Sequence, residues 1–167
     1  MNNYIMINGK KIELTDEQIK TLQGLDKPKH KTPWDRVEVG KIYSYINEFG
    51  TICYNKEKTT RLDDERYLNL NCYNNKDFCH QMKLHWLLYK KLYKFSLENG
   101  WSEDLWRDRN VDKWFYMKNA VSGKYDCYAS CLFKDDFKVY FVSQDICQQA
   151  VEEIIKPFRE EHPEYYL

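Results

Sequence analysis

The sequence lacks the glycine-rich loops, the excess of one charge and the long apolar runs that mark many functional classes. It contains only six glycines, scattered singly, and no Walker A loop, GxGxxG, GxSxG or HExxH motif. Phosphate-cradling and dinucleotide chemistry are therefore not expected. Lys plus Arg number 26 and Asp plus Glu also number 26, so no bulk electrostatic field draws the chain to nucleic acid or to an anionic membrane.

Apolar segments are too short for a membrane helix, which needs roughly 20 consecutive apolar residues, and the chain does not begin with the apolar core of a secretory signal. We therefore expect a cytoplasmic protein with no membrane partner. The six cysteines are expected to be reduced thiols in that compartment. No pair has CxxC spacing and the four histidines are dispersed, so neither a metal site nor a cofactor is predicted.

The amino-terminal part of the chain is predicted to be a small module of its own. The dipeptide NG at 8–9 favours a two-residue hairpin turn. Thr15 with Gln18 makes the capping-box pattern that begins a short helix. The run DKPKHKTP has two prolines and almost nothing apolar, which is typical of a linker. The chain is thus divided into a hairpin-helix module at 1–25, a linker at 26–33 and a main domain at 34–167.

Hydrophobic periodicity predicts the elements of the main domain. The longest stretch without Gly or Pro, 77–99, predicts a helix begun by Asn74 or Asn75. Its apolar stripe is wider than that of a simple surface helix, so we expect it to be covered on more than one side. A last helix is predicted after Ser143, with Pro157 marking its end or a kink. The polar run 55–66 is predicted to be a surface loop. Strands are predicted at 41–46, 51–54, 67–70, 113–117, 126–133 and 138–142.

The two halves of the main domain, 34–100 and 101–167, share an order of elements that indicates an internal repeat. Each half is predicted to be a strand-strand-strand-helix unit. Together they predict an α+β fold in which antiparallel sheet, as one six-stranded or two three-stranded sheets, packs on two main helices beside the small amino-terminal module. Identical residues at a constant offset mark the two helix starts: Asp77, Cys79 and Gln81 match Asp145, Cys147 and Gln149.

Residues that could support catalysis are poorly arranged for it. Cys79 stands at a helix start, where the dipole lowers the pKa of a thiol. Its neighbour His80, however, points about 100° away around the helix and cannot act as its base. His85 lies on the apolar stripe and is expected to be a satisfied core histidine. The carboxylates at 63–65 diverge from one another and are expected to be solvated rather than to bind a cation. We therefore expect a protein without enzyme activity.

Aromatic residues are abundant, with fourteen Tyr, eight Phe and five Trp, and such a load is typical of a contact surface. Trp and Arg are the residue types that dominate binding energy at interfaces. Two polar connections that carry them are therefore the predicted partner-binding surfaces. An alternative is that both tryptophans only cap the core. The predicted residues are Arg61, Asp63, Asp64, Arg66, Trp101, Trp106 and Arg107.

The long helix offers an alternative site for nucleic acid or a small nucleotide. Lys83, Lys90 and Lys94 share one helix face, and Tyr93 lies nearby. Phosphate contact combined with base stacking is the chemistry that such a face can supply. A lysine face that is merely solvated has the same pattern.

Three segments carry a resemblance to a known group of proteins. They are WDRVEVGKIYSYI at 34–46, DERYLNLNCYNNKDFCHQMKLHWLLYKKLYKF at 64–95 and VYFVSQDICQQAVEEIIKPFREEHPEY at 139–165. With them the chain resembles small, mostly uncharacterised accessory proteins encoded by phages and prophages of Gram-positive bacteria. Small proteins of that setting commonly inhibit host defence, anti-CRISPR proteins included. Since catalytic motifs are absent, we expect a non-enzymatic inhibitor that binds a host defence protein or nucleoprotein complex in the host cytoplasm. The resemblance implies no residue roles.

Overall fold

Helices and antiparallel two-stranded hairpins build residues 4–22 and 31–167, the part of the chain that the computed structural model describes. The predicted α+β class is confirmed. The strands are β1 (Tyr4–Ile7), β2 (Lys10–Glu13), β3 (Ile42–Ile46), β4 (Ile52–Lys56), β5 (Lys113–Lys118) and β6 (Tyr125–Ser130). The α-helices are α1 (Asp16–Leu22), α2 (Arg61–Leu68), α3 (Lys76–Glu98), α4 (Gln144–Ala150) and α5 (Lys156–Glu161).

The amino-terminal segment has the predicted hairpin and helix. β1 and β2 pair around Asn8 and Gly9, whose φ angles of 51° and 77° suit the tight turn that an Asn-Gly pair favours. The backbone N–H of Thr15 donates to Gln18 Oε1 at 2.9 Å, and that of Gln18 donates to Thr15 Oγ1 at 3.3 Å. This reciprocal pair is the predicted capping box. Most of the predicted linker, at 26–30, lies outside the described residues.

The main domain contains two hairpins of the same build. β3 pairs with β4, and β5 pairs with β6. The first strand of each hairpin also makes one antiparallel bridge, to Tyr73 in one case and to Phe141 in the other. Each bridging residue is followed two positions later by the residue that caps a helix, Asn75 for α3 and Ser143 for α4. The order of hairpin, bridge, cap and helix therefore occurs twice.

The predicted three-stranded and six-stranded sheets are wrong. All sheets within the described residues are two-stranded. The predicted strand at 67–70 is instead the end of α2 and the turn that follows it, and the bridge to the first hairpin comes from Tyr73, outside that range. Of the predicted strand at 138–142, only Phe141 bridges to its hairpin. The predicted surface loop at 55–66 is wrong as well, since α2 begins at Arg61. Thr60 and Asp63 form a capping box at its start, and this polar cap creates a helix that apolar periodicity does not reveal.

The core lies between α3 and the carboxy-terminal helical run, and the residues that fill it from α3 are Leu84, Leu88 and Leu92. In the carboxy-terminal run a π-helical turn, Val151–Ile155, joins α4 to α5. Pro157 has no N–H to donate to the preceding turn, and the wider turn before it lets the helix continue to Glu161. None of the described helices is long and apolar enough to cross a membrane.

Candidate functional site

An open groove of about 820 Å³ runs beside α3, on the side turned away from the core. Several segments line it, and three of them supply most of its exposed apolar surface. α3 contributes Met82, Trp86 and Leu87, the turn between β3 and β4 contributes Phe49, and the segment that follows α2 contributes Leu70. The volume falls within the roughly 300–1,000 Å³ that is usual for binding sites.

α3 reaches the groove because it is apolar on two sides. Leu84 and Leu88 point into the core. Met82 lies two positions before Leu84, and Trp86 lies two positions before Leu88. Two positions are about 200° around the helix, so Met82 and Trp86 point away from the core. The broad apolar stripe predicted coverage on more than one side. In the structure α3 packs on the carboxy-terminal helices and on the β3–β4 hairpin, and the side that carries Trp86 and Leu87 stays exposed and becomes a wall of the groove.

Large apolar side chains of the groove stand in water. Phe49 is 84% exposed, Leu70 is 61% exposed and Trp86 is 46% exposed. Single exposed apolar residues are normal on soluble proteins, but several that line one concave surface mark an interaction site. The groove is therefore the strongest candidate for a functional site.

The charge of the groove has one sign. Lys83 and Lys90 line it, and none of its lining residues, all of which belong to the described part of the chain, is a carboxylate. The whole chain is neutral, so this positive charge is local. The groove thus combines apolar and aromatic walls with two cations.

The backbone at Leu70 holds a conformation that side chains rarely adopt, with φ at 53°. The N–H of Leu70 donates to the carbonyl of Tyr67 at 3.0 Å, and that of Asn71 donates to the carbonyl of Arg66 at 2.8 Å. This is the Schellman pattern, in which glycine usually occupies the left-handed position. A leucine there costs about 1–2 kcal/mol, and strain of this kind is concentrated at functional sites.

We expect Leu70→Gly to raise the unfolding free energy by about 0.5–1 kcal/mol, because glycine adopts this φ without strain and the lost side chain is largely exposed. Thermal denaturation followed by circular dichroism should show Tm rising by roughly 1–4 °C. Leu70→Ala is the matched control, since it shortens the side chain and keeps the strain; its Tm should not rise. A lower Tm for the glycine variant would show that the leucine is held for packing and not for binding.

Asp63, a predicted partner-binding residue, is instead part of the protein interior. Its side chain is 1% exposed. The carboxylate accepts hydrogen bonds from the hydroxyl of Tyr43 at 2.6 Å, from Nδ2 of Asn55 at 3.0 Å and from the hydroxyl of Thr60 at 2.7 Å. These bonds, that of Tyr43 above all, hold the pKa of Asp63 well below its ordinary value. A carboxylate that is buried and satisfied in this way stabilises the fold and is not presented to a partner.

The other predicted residues of α2 differ in accessibility. The guanidinium of Arg66 lies 3.6 Å from the ring centroid of Tyr45. Asp64 pairs with Arg36 at 2.7 Å. Arg61 has a side chain that is 93% exposed, and it is the most accessible of the four. α2 is therefore held against the β3–β4 hairpin through several of the residues that the sequence assigned to binding.

Trp101 and Trp106 both cover the core, which is the alternative to partner binding that the sequence left open. Trp101 is 5% exposed and stacks on Tyr140 with ring centroids 5.8 Å apart. Trp106 meets the same ring edge-on at 4.8 Å. Arg107 remains exposed and pairs with Asp104 at 3.2 Å.

The predicted lysine face of α3 is divided between two surfaces. Lys83 and Lys90 line the groove. Lys94 lies instead along a separate cleft that also contains three carboxylates, and it pairs with one of them, Glu98, at 3.5 Å. Tyr93 packs against the core. A nucleic-acid strand that followed α3 would therefore meet like charge near Lys94, which weakens phosphate binding there.

Comparison with known proteins adds no identification. No protein-family model, curated protein or solved structure matches this chain. The function has to be inferred from the groove itself.

The thiol at the start of α3 is not a nucleophile. Cys79 is fully buried, and burial raises its pKa to about 11, so desolvation outweighs the helix dipole that predicted a lower pKa. His80 turns away to Glu164, at 3.1 Å. His85 shares a hydrogen bond of 2.9 Å with the hydroxyl of Tyr165, as expected of a satisfied histidine. Across residues 4–22 and 31–167, no group of three or more His, Cys, Asp and Glu is placed to hold a metal ion.

Sequence reasoning missed most of the groove. Phe49 belongs to a turn, outside any periodic pattern. Leu70 was assigned to a strand at 67–70, where the structure has the end of α2 and a left-handed turn. The available signal was the excess width of the apolar stripe on α3. That signal indicates an extra contact face, but it does not show whether the face is covered by this chain or left open.

Proposed function

We propose that this protein is a non-enzymatic inhibitor encoded by a phage or prophage, which binds a host defence protein or nucleoprotein complex in the host cytoplasm. The observation that supports binding is the open groove, where Phe49, Leu70 and Trp86 stand exposed around one concavity. Aromatic side chains of this kind are the usual anchors of protein interfaces.

The groove is suited to binding because most of its wall is rigid. Met82, Trp86 and Leu87 project from the middle of α3, whose other side is fixed in the core. A surface that is already in place before the partner arrives loses little conformational entropy on binding. An inhibitor that acts by occupying a partner's surface needs this property and needs no turnover chemistry.

Phage plating tests this proposal. Bacterial strains that each carry one active defence system, CRISPR–Cas systems among them, would express the protein and be challenged with a phage that the system restricts. We expect the wild type to restore plating in at least one strain. The double variant Phe49→Ala, Trp86→Ala should lose this effect, since removal of interface anchors weakens binding by about 30-fold or more.

Phe133→Ala is the matched control, because Phe133 is also strongly exposed, at 79%, and does not line the groove. It should restore plating as the wild type does. Failure of the wild type in every strain contradicts inhibition of defence. Equal activity of the groove variant contradicts the assignment of the groove as the binding surface.

A second candidate function is the binding of a nucleotide or of single-stranded nucleic acid in the same groove. The observation that favours it is the presence of Trp34 and the exposed Trp86 together with Lys83 and Lys90 along one surface, since aromatic rings stack on bases and lysines contact phosphate. Fluorescence anisotropy with labelled single-stranded oligonucleotides would show binding that weakens as salt rises. Protein purified from cells would then also carry the ultraviolet absorbance of nucleic acid.

A further inference from the structure

We infer that the partner presents an amphipathic helix to the groove, with acidic residues about two turns apart beside its apolar face. This inference rests on the proposed function, because it names the part of the partner that the groove receives. It follows from the hydrogen bonding, the shape and the charge of the groove.

Backbone hydrogen bonding beside the groove excludes an added strand. The outward N–H and carbonyl of Ser44 in β3 are both bonded to Tyr73, at 2.9 Å each. Two positions along, the N–H and the carbonyl of Ile46 are both bonded to the side chain of Asn71, at 2.9 and 2.7 Å. The edge of β3 thus has no donor or acceptor for an extended peptide over this stretch, and strand addition requires such groups.

A helix has no need of that edge, because it satisfies its own backbone groups internally. It binds through side chains alone, usually with anchors spaced three, four and seven residues apart. The groove provides the complementary surface. Trp86 and Leu87 line it from α3, while Phe49 and Leu70 line it from the other elements. The apolar face of a partner helix can therefore be enclosed by side chains of three elements.

The length of the groove wall also suits a helix. The lining residues of α3 run from Met82 to Lys90, a rise of about 12 Å. That is slightly more than two turns, which is the span of three anchor positions on a partner helix.

Charge at the groove selects an acidic partner. Lys83 and Lys90 are seven positions apart on α3 and therefore about 10 Å apart along its axis. Carboxylates seven positions apart on a helix lying alongside would face both lysines at once. None of the groove's described lining residues offers a carboxylate to compete, so basic helices are disfavoured and acidic ones are attracted.

Selection from a displayed library tests the inference. The library would hold helical peptides of about 15 residues, the length at which an isolated helix begins to be stable, with the residues of one face randomised. Selection on the wild-type protein, with the Phe49→Ala, Trp86→Ala variant used to remove nonspecific binders, should enrich large apolar residues and Asp or Glu about seven positions apart. Selection on the double variant Lys83→Glu, Lys90→Glu should enrich Lys or Arg at those positions instead.

Affinity measurements on one enriched acidic peptide supply the quantitative test. We expect Lys83→Glu with Lys90→Glu to weaken its binding by at least ~10-fold, which is about 1.4 kcal/mol. The matched control is Lys94→Glu with Lys124→Glu, two exposed lysines that do not line the groove, and it should change affinity by less than about twofold. Circular dichroism of all variants should show an unchanged fold.

Several results would overturn the inference: no enrichment of helical peptides, enrichment without an acidic preference, or affinity that survives charge reversal. Concentration-dependent dimerisation that is lost in the groove variant would identify a second copy of this chain as the occupant instead. Loss of phage protection on mutation of the groove, without any helix preference, refutes the helix and leaves the inhibitor proposal standing. Binding of an acidic helix without phage protection in any strain supports the helix inference and refutes the inhibitor proposal.

Discussion

Replacing Asp63 by alanine is expected to lower the unfolding free energy by about 3–5 kcal/mol, because it removes at least two hydrogen bonds to a buried charge, each of which contributes about 1.5–3 kcal/mol. Its carboxylate receives hydrogen bonds from Tyr43, Asn55 and Thr60. Without it the buried hydroxyl of Tyr43 and the half-buried amide of Asn55 lose this acceptor, and the capping box of α2 loses one of its two hydrogen bonds. Urea denaturation followed by tryptophan fluorescence measures the change.

Asp64→Ala is the matched control for this substitution. Its side chain is 49% exposed and pairs with Arg36, and partly exposed ion pairs contribute about 0–1 kcal/mol. A loss below about 1 kcal/mol for Asp63→Ala would mean that the network adds little to stability, and that α2 is held by other contacts.

The same network makes stability depend on acid pH. The folded-state pKa of Asp63 is lowered, mainly by the hydrogen bond from Tyr43, and that of Glu57 is lowered by Arg36. A carboxylate with a lowered pKa contributes its full stability above its unfolded pKa of about 4 and loses it as pH falls toward the folded value. The urea midpoint of the wild type should therefore decline below about pH 4. Asp63→Asn should decline less steeply, with the remaining slope due in part to Glu57.

Phe141→Ala is expected to lower the unfolding free energy by about 3–5 kcal/mol, as large-to-small substitutions of buried aromatics do. Phe141 is fully buried and meets Phe95 edge-on, with ring centroids 6.4 Å apart. Its backbone also bridges to Trp114 through bonds of 2.7 and 3.0 Å. Alanine keeps that bridge, so the measured loss reports the side chain and the cavity that it leaves.

Guanidinium denaturation measures this loss. The control is Phe133→Ala, which removes an exposed phenylalanine and should change stability by less than about 0.5 kcal/mol. Should the alanine variant not fold, Phe141→Leu is expected to lose about 1–1.5 kcal/mol. A change in Phe141→Leu no larger than that of the control would refute a central role for this ring.

The parts of the fold that were predictable are those with local signals. α3 has a long apolar period without Gly or Pro, the first hairpin has an Asn-Gly turn, and the caps at Asn75 and Ser143 come directly before apolar helices. α2 was missed because it has no apolar period: a polar cap begins it, and contacts between residues far apart in sequence hold it in place. Asp63 is buried through Tyr43, twenty positions away, and no periodicity encodes that contact.

The candidate site was less predictable than the fold. Residue type alone assigned Trp101 and Asp63 to a contact surface, but burial places both inside the protein. Trp and Arg serve equally well as interface anchors and as core or network residues, so composition cannot separate the two roles. The groove depends on the approach of three elements, and only the contribution of α3 has a sequence signal.

The side-chain clamp of Asn71 on Ile46 also bears on how this protein behaves at high concentration. An open strand edge beside an exposed apolar surface is a common starting point for aggregation, because it joins copies through continuous sheet. Here the amide of Asn71 takes the place of a neighbouring strand at Ile46, as Tyr73 does at Ser44. The molecule can therefore expose Phe49 and Trp86 without offering copies of itself a sheet to extend at this edge, and Asn71→Ala would remove that protection at Ile46.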